Sequence, residues 1–290
     1  RRLALRLDVP PIVRATLSDA SLHHWPWPDR RLIDHASYEY LLRGERTATV
    51  VTQRGCPFAC TFCSHTDFYR RIEYRDIDHV RAELRELRDR FDYRAVMLYD
   101  DEVNIHRSHF DALCIALVEG GWTWRAFIKS NLFTEDQAKL AARSGAAQFC
   151  TGGETMDAQM KRLILKKSTV DDDTRFVRLC LENGIAPKVF TMVGLAGESD
   201  ESIDALRCWL IDRVAEGLID FDITVFTPYP GTPIYDALMS KGVYVAGPKH
   251  GIRLVTRPDY AGSTVHYKGR PGEYVSLCET FDPSTGDTLL

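Results

Sequence analysis

Cys56, Cys60 and Cys63 stand in the run Arg54-Gly55-Cys56-Pro57-Phe58-Ala59-Cys60-Thr61-Phe62-Cys63, a C-x3-C-x2-C spacing. The run supplies three thiolates and no fourth ligand. A structural zinc site closes with four ligands, whereas a cubane iron–sulfur cluster held by three thiolates keeps one iron open to a small molecule. The competing reading is a partial zinc knuckle, or three buried thiols. What precedes the run counts against it: Thr47-Ala48-Thr49-Val50-Val51-Thr52 is an apolar, β-branched stretch that reads as a strand. The cysteine loop is therefore expected to leave the end of a first strand.

Strands and helices alternate beyond residue 47, the pattern of parallel β/α units. The expected strands are Thr47–Thr52, Ala95–Tyr99, Trp124–Ile128, Ala147–Cys150, Lys188–Val193 and Asp222–Phe226. Val80, Leu84, Leu87 and Phe91 recur at helical spacing, as do Ile203, Leu206, Leu210 and Val214. Six such units give an α/β fold, a partial (β/α)6 TIM-like barrel open along one side. Chemistry in barrels sits at the carboxyl ends of the strands. Asp100-Asp101-Glu102, Lys129, Glu154 and Gly194 to Glu198 all fall there, on the face of the cysteine loop. Residues 1–45 read as an N-terminal segment and linker, 46–240 as the barrel, and 241–290 as an irregular C-terminal extension rich in Gly and Pro.

These features resemble the radical S-adenosylmethionine (SAM) superfamily over roughly residues 45–240. The resemblance implies a [4Fe–4S] cluster on Cys56, Cys60 and Cys63 whose open iron takes the amino and carboxylate groups of SAM. It implies cleavage of SAM to a 5′-deoxyadenosyl radical that takes a hydrogen atom from substrate. Phe62 matches the family's aromatic position near the adenine. Asp100, Asp101 and Glu102 stand where the family often has a Gly-Gly-Glu run touching the SAM amino group. Glu154 stands where members place a polar residue on the SAM ribose or methionine. Gly194, Gly197 and Glu198 resemble the glycine-containing turn after the fifth strand, with Ala196 in place of its usual proline. Phe226, Thr227, Pro228 and Tyr229 resemble the segment after the sixth strand whose backbone reads the adenine. Helix capping competes for Asp100, Asp101, Glu154 and Glu198. His65 and Lys129 are candidate substrate-handling groups, and a solvated loop side chain is the alternative for each.

A further stretch, Pro26-Trp27-Pro28-Asp29-Arg30-Arg31-Leu32-Ile33-Asp34, resembles a linker. In one large subgroup of the superfamily such a linker joins an upstream cobalamin-binding domain to the barrel. Residues 1–45 do not themselves resemble that domain, so cobalamin is not implied within these residues.

Composition narrows the function classes. A net charge of −4 with interspersed signs offers no phosphate-tracking face, which argues against nucleic acid. No apolar run is long enough to span a membrane, and no signal peptide is visible. Eight cysteines, three of them grouped, suit a reducing cytoplasm. Cys114 and Cys180 lie on apolar helix stripes and read as packing; Cys278 falls in the irregular tail.

The first functional expectation is a radical SAM enzyme acting on a small molecule with a dehydration, redox or epimerisation outcome. An external flavodoxin- or ferredoxin-like electron donor is implied. Carboxylates around the pocket suggest a cationic, polyhydroxylated substrate such as an amino sugar. The alternatives are a cobalamin-dependent radical SAM methyltransferase, and a metal-stabilised binding module without catalysis.

Overall fold

Local signals place each element, and the sheet then gathers them. The computed structural model describes residues 26–64, 71–255 and 278–288. The chain enters a short antiparallel pair, β1 (Leu41–Leu42) and β2 (Glu45–Val50). It then forms a two-stranded hairpin, β3 (Gln53–Arg54) with β4 (Glu73–Tyr74), whose connection carries the three cysteines. Helix α1 (Ile77–Phe91) starts where the Asp76 carboxylate accepts the N–H groups of Asp78 and His79. It buries Val80, Leu84 and Leu87, the stripe expected from their spacing.

The β/α alternation continues through β5 (Ala95–Leu98), α2 (Arg107–Gly120), β6 (Thr123–Phe127), α3 (Glu135–Arg143) and β7 (Ala146–Glu154). It goes on through α4 (Ala158–Leu163), α5 (Val170–Glu182), β8 (Ala186–Val193), α6 (Asp200–Glu216) and β9 (Asp220–Val225). The strands form one seven-stranded sheet in the order β1-β2-β5-β6-β7-β8-β9, parallel from β2 onward, curled into a half-barrel. This is the expected partial barrel. An aromatic stack fills the space between sheet and helices: Trp124 lies 5.0 Å from Phe149, and Phe133 lies 5.6 Å from Phe149 and 5.7 Å from Phe176. All four side chains are fully buried, and each contributes on the order of 2–3 kcal/mol. Cys114 and Cys180 are buried on helices, as their stripes required.

Two expectations need correction. The fourth parallel strand does not stop at Cys150. Gly152 still pairs with Phe190 and Glu154 with Thr191, so the strand carries Glu154 itself. Nor are the described parts of the C-terminal extension irregular. After α7 (Pro233–Lys241), β10 (Val243–Gly247), β11 (His250–Leu254) and β12 (Cys278–Phe281) form a three-stranded antiparallel sheet. A register shift between Val245 and Gly247 breaks the alternation that marks a strand, which hid it from sequence. Cys278 opens β12 and packs with Phe226, Leu195 and Ile164.

Candidate active site

The cysteine loop is held from three sides. At its root the Asp100 carboxylate accepts the N–H groups of Thr52 (2.6 Å) and Gln53 (3.0 Å) on one oxygen and the Thr52 hydroxyl (2.5 Å) on the other. Asp101 Oδ2 accepts the Gly55 N–H at 2.9 Å. On the far side Thr61 N–H donates to the Ile164 carbonyl (3.1 Å), docking the loop on the segment after α4. Capping is not the role of these two aspartates. The next helix starts six residues later at Arg107, behind His106.

Burial pushes the Asp100 carboxyl up to about 6, yet three donors keep it an acceptor at neutral pH. The same desolvation raises the Cys56 thiol to about 11. Cys60 is buried and Cys56 and Cys63 are half-buried.

Three buried charged side chains, Lys166, Glu154 and Lys129, and the half-buried Glu102 cluster near the loop. Lys166 Nζ pairs with Glu154 Oε1 at 2.9 Å, with both side chains nearly enclosed. Lys129 Nζ sits 4.6 Å over the Phe58 ring, and its backbone exchanges two hydrogen bonds with the Asn104 side chain. Burial lowers the Lys129 pKa, and Glu102, Cys60 and Cys56 pull it back up. Burial likewise raises Glu102, whose Oε2 is buried without a hydrogen-bond partner among the described residues. Glu154 (φ 62) and Leu165 (φ 57) both take the left-handed conformation, uncommon for side chains of this kind. A Cβ at Gly152 would stand 2.2 Å from Glu154 Oε1 and 2.9 Å from Lys166 Nζ, so a side chain there would displace this pair.

A second buried group secures this layer. Lys161 Nζ bonds Asp173 Oδ2 (2.6 Å) and the Gly153 carbonyl (2.7 Å), while Ser130 Oγ donates to Asp173 Oδ1 (2.5 Å). Lys129 and Glu154 are thus fixed through their chain neighbours.

A cavity of about 810 Å³ opens at this end of the sheet, near the upper end of the roughly 300–1,000 Å³ usual for small-molecule sites. Its walls bring together Cys56, Cys63, Asp100, Asp101 and Glu102 with Val51, Tyr99 and Phe127. The linker residues Pro26, Trp27, Pro28 and Arg30 complete it. The linker is pinned: Arg30 Nη2 bonds Glu83 Oε1 (2.8 Å) and the Thr49 carbonyl (2.9 Å), and Glu83 Oε2 pairs with Arg75 (2.7 Å).

Phe62 and Phe226 belong to the apolar cluster behind the loop, with Met160, Ile164 and Leu195. Gly194 (φ 87) and Gly197 (φ 90) turn the chain sharply there. Glu198 folds back to accept the N–H groups of Gly194 and Leu195, while Ser199 caps α6. Pro228 is buried, Thr227 half-buried, and Tyr229 is 50% exposed. Lys129 does not line the main cavity, because burial turns it under the cysteine loop. His65 lies outside the described residues.

Carboxylates do line the cavity: Asp100, Asp101, Glu102 and Glu83. Asp100 and Asp101 hold the loop backbone, Glu83 pairs with Arg30 and Arg75, and most of the remaining wall area is apolar. Lys166, Gln53, Trp27 and the Arg30–Glu83–Arg75 group escaped sequence reasoning. The Gly-Gly before Glu154 and the Pro-Trp-Pro run were their only local signals.

The donor set decides the comparison with known proteins. Cys56 and Cys63 line one cavity with Glu102, and Cys60 is buried on the same short loop; three thiols so grouped suit an iron–sulfur cluster with a chelating ligand. The Radical SAM superfamily profile matches residues 50–209. The chain belongs to the radical SAM superfamily. Radical SAM domains bind a [4Fe–4S] cluster and SAM. The anaerobic magnesium-protoporphyrin IX monomethyl ester cyclase of Rubrivivax gelatinosus is 28% identical over 223 residues, 74% of this chain and 39% of that protein. The cytidylyl-2-hydroxyethylphosphonate methyltransferase of Streptomyces wedmorensis is 27% identical over 171 residues, 57% of this chain and 32% of that protein. The chain therefore spans well under half the length of these curated relatives. In fold it is similar to the radical SAM methyltransferase TsrM from Kitasatospora setae, solved with cobalamin and a [4Fe–4S] cluster. There the TM-score is 0.63 at 19% identity, over 84% of this chain and 47% of that one. No described helix of this radical SAM protein is long and apolar enough to cross a membrane.

Proposed function

We propose that this chain is the SAM-cleaving barrel of a cobalamin-dependent radical SAM enzyme that methylates or cyclises a small organic molecule. The relatives, methyltransferases and cyclases, support this alternative over dehydration or epimerisation. One observation carries the reading: the linker residues Trp27 and Arg30 share a cavity with Cys56 and Cys63. The segment that resembles a link to a cobalamin-binding domain is thereby part of the site wall.

Cys56, Cys60 and Cys63 would hold the cluster. When bound, cluster and SAM supply the radical chemistry of the superfamily. The chain's own groups do the positioning. Asp100 and Asp101 fix the loop backbone, and Glu102 Oε2 offers an acceptor for an ammonium group. Lys129 and Lys166 place positive charge beside Cys60. Phe62, Phe226 and the Gly194–Glu198 turn would form the adenine side. An external low-potential electron donor completes the reading.

The test is anaerobic reconstitution of the full-length protein with SAM and reductant, with and without cobalamin. 5′-Deoxyadenosine and S-adenosylhomocysteine are followed by mass spectrometry. Both products, the second only with cobalamin, are expected. 5′-Deoxyadenosine alone, indifferent to cobalamin, rejects methyl transfer; absence of both rejects the reading.

A further inference from the structure

The cavity has a polar side and an apolar side that together describe a substrate. Its cysteine-loop wall holds two buried acceptor atoms without partners among the described residues, Gln53 Oε1 and Glu102 Oε2. Its linker wall holds one buried donor without a partner among the described residues, the indole N–H of Trp27. Pro26, Pro28, Val51, Tyr99 and Phe127 supply apolar wall.

Several features make this surface stiff and shaped. Trp27 is stacked on His79, with ring centroids 5.3 Å apart and planes inclined at 28°. Tyr99 and Phe127 meet edge to face at 6.1 Å. Two prolines flank Trp27, and the Arg30–Glu83 pair fixes the linker one turn on. Tyr99, the residue just after β5, is 61% exposed, so a large apolar face is left to solvent beside the cysteines. Rigid aromatic walls favour flat ring systems over flexible chains, because a flat rigid ligand loses little conformational freedom on binding. A buried donor without an acceptor is unfavourable until a ligand supplies one.

We propose that this cavity takes a flat, ring-rich, largely apolar substrate bearing a carbonyl or carboxylate oxygen at one edge. The rings lie against Tyr99 and Phe127, and the oxygen accepts the Trp27 N–H. This rests on the functional reading above and deepens it by naming the substrate class. Gln53 and Glu102 are left to SAM, so the two ligands divide the cavity between polar acceptors and the Trp27 donor.

The probe is protoporphyrin IX, a flat apolar macrocycle with carboxylates on one edge. It is titrated by its own fluorescence into the full-length, cluster-loaded protein with SAM present. Trp27→Phe keeps the ring and removes the N–H; it is expected to weaken binding roughly fivefold. Trp27→Ala and Tyr99→Ala remove wall area and are expected to weaken it roughly thirtyfold. Palmitate, equally apolar but linear, is expected to compete poorly. Equal affinity in the wild type, Trp27→Phe and Tyr99→Ala overturns the proposal. So does displacement of the probe by palmitate at lower concentration than by non-fluorescent iron protoporphyrin IX. Displacement by hydroxocobalamin with the same Trp27 dependence also overturns it, by assigning the cavity to a corrin. Iron content and SAM cleavage in the same samples report separately on the functional reading, which fails if both are absent while the macrocycle still binds.

Discussion

Asp100 holds Thr52 by two hydrogen bonds at once, one to its backbone N–H (2.6 Å) and one to its hydroxyl (2.5 Å). The two residues are 48 positions apart and join the carboxyl ends of neighbouring parallel strands. The cysteine loop begins four residues beyond Thr52. A side chain at the end of one strand therefore sets the exit direction of the loop on the next.

Removing that side chain should loosen the loop before it unfolds the barrel. Asp100→Ala strands the Thr52 and Gln53 N–H groups and is expected to cost about 2–4 kcal/mol. Asp100→Asn keeps one acceptor and should cost less. Iron bound per chain after anaerobic reconstitution is expected to fall in the order wild type, Asn, Ala. Equal iron in all three would show that the loop does not depend on this clasp.

The cluster assignment itself predicts a separation between metal and fold. Cys60→Ala is expected to lose the visible thiolate-to-iron absorption and SAM cleavage while keeping its far-ultraviolet circular dichroism. The core of Trp124, Phe133, Phe149 and Phe176 lies between sheet and helices and includes no residue of the loop. Global unfolding of Cys60→Ala would favour a metal-stabilised module instead.

Lys129 is a buried cation beside two of the three thiols. Positive charge in a desolvated site favours the more negative, reduced form of a nearby cluster. Lys129→Met is expected to move the reduction potential to more negative values, and Lys129→Arg to stay near the wild type. Redox titration followed by electron paramagnetic resonance measures it, and coincident midpoints for Met and wild type would count against the role.

Glu83 joins two guanidinium groups, with side-chain exposures of 3% for Glu83, 14% for Arg30 and 9% for Arg75. Breaking a buried ionic group from one side leaves uncompensated charge, at a cost of roughly 3–5 kcal/mol. Glu83→Gln is expected to lower stability by about that much in urea unfolding. Adding Arg30→Met should recover part of the loss by removing one stranded charge. A double variant no more stable than the single would mean that the pair does not act as a unit.

Burial raises the Glu198 carboxyl from its ordinary value of 4.5 to about 7. Between those values the folded protein keeps a proton that the unfolded chain releases. This group's contribution is therefore full below about pH 4.5 and is lost as pH rises towards 7, by at most about 3 kcal/mol. Glu198→Gln keeps an acceptor for the Gly194 N–H and removes the titration. Its melting temperature should vary less between pH 4.5 and 7 than that of the wild type. Parallel curves for the two proteins would refute the assignment.

The sequence alone determined what is local. Cysteine spacing needs only a few consecutive residues, and strand and helix periods need only ten or so, so the donor set and the β/α order were both legible. Val80, Leu84 and Leu87 are buried where their period placed them. The six parallel strands fall within a few residues of their expected spans. Only the tertiary structure decided which charges meet. Lys166 reaches Glu154 across 12 residues, Arg30 reaches Glu83 across 53, and Asp100 reaches Thr52 across 48. Each pairing depends on strand register and desolvation, which no local pattern encodes. That is why Asp100 and Asp101, read as ligand contacts or caps, prove to brace the loop. It is also why Trp27, read as part of a linker, becomes a wall of the cavity.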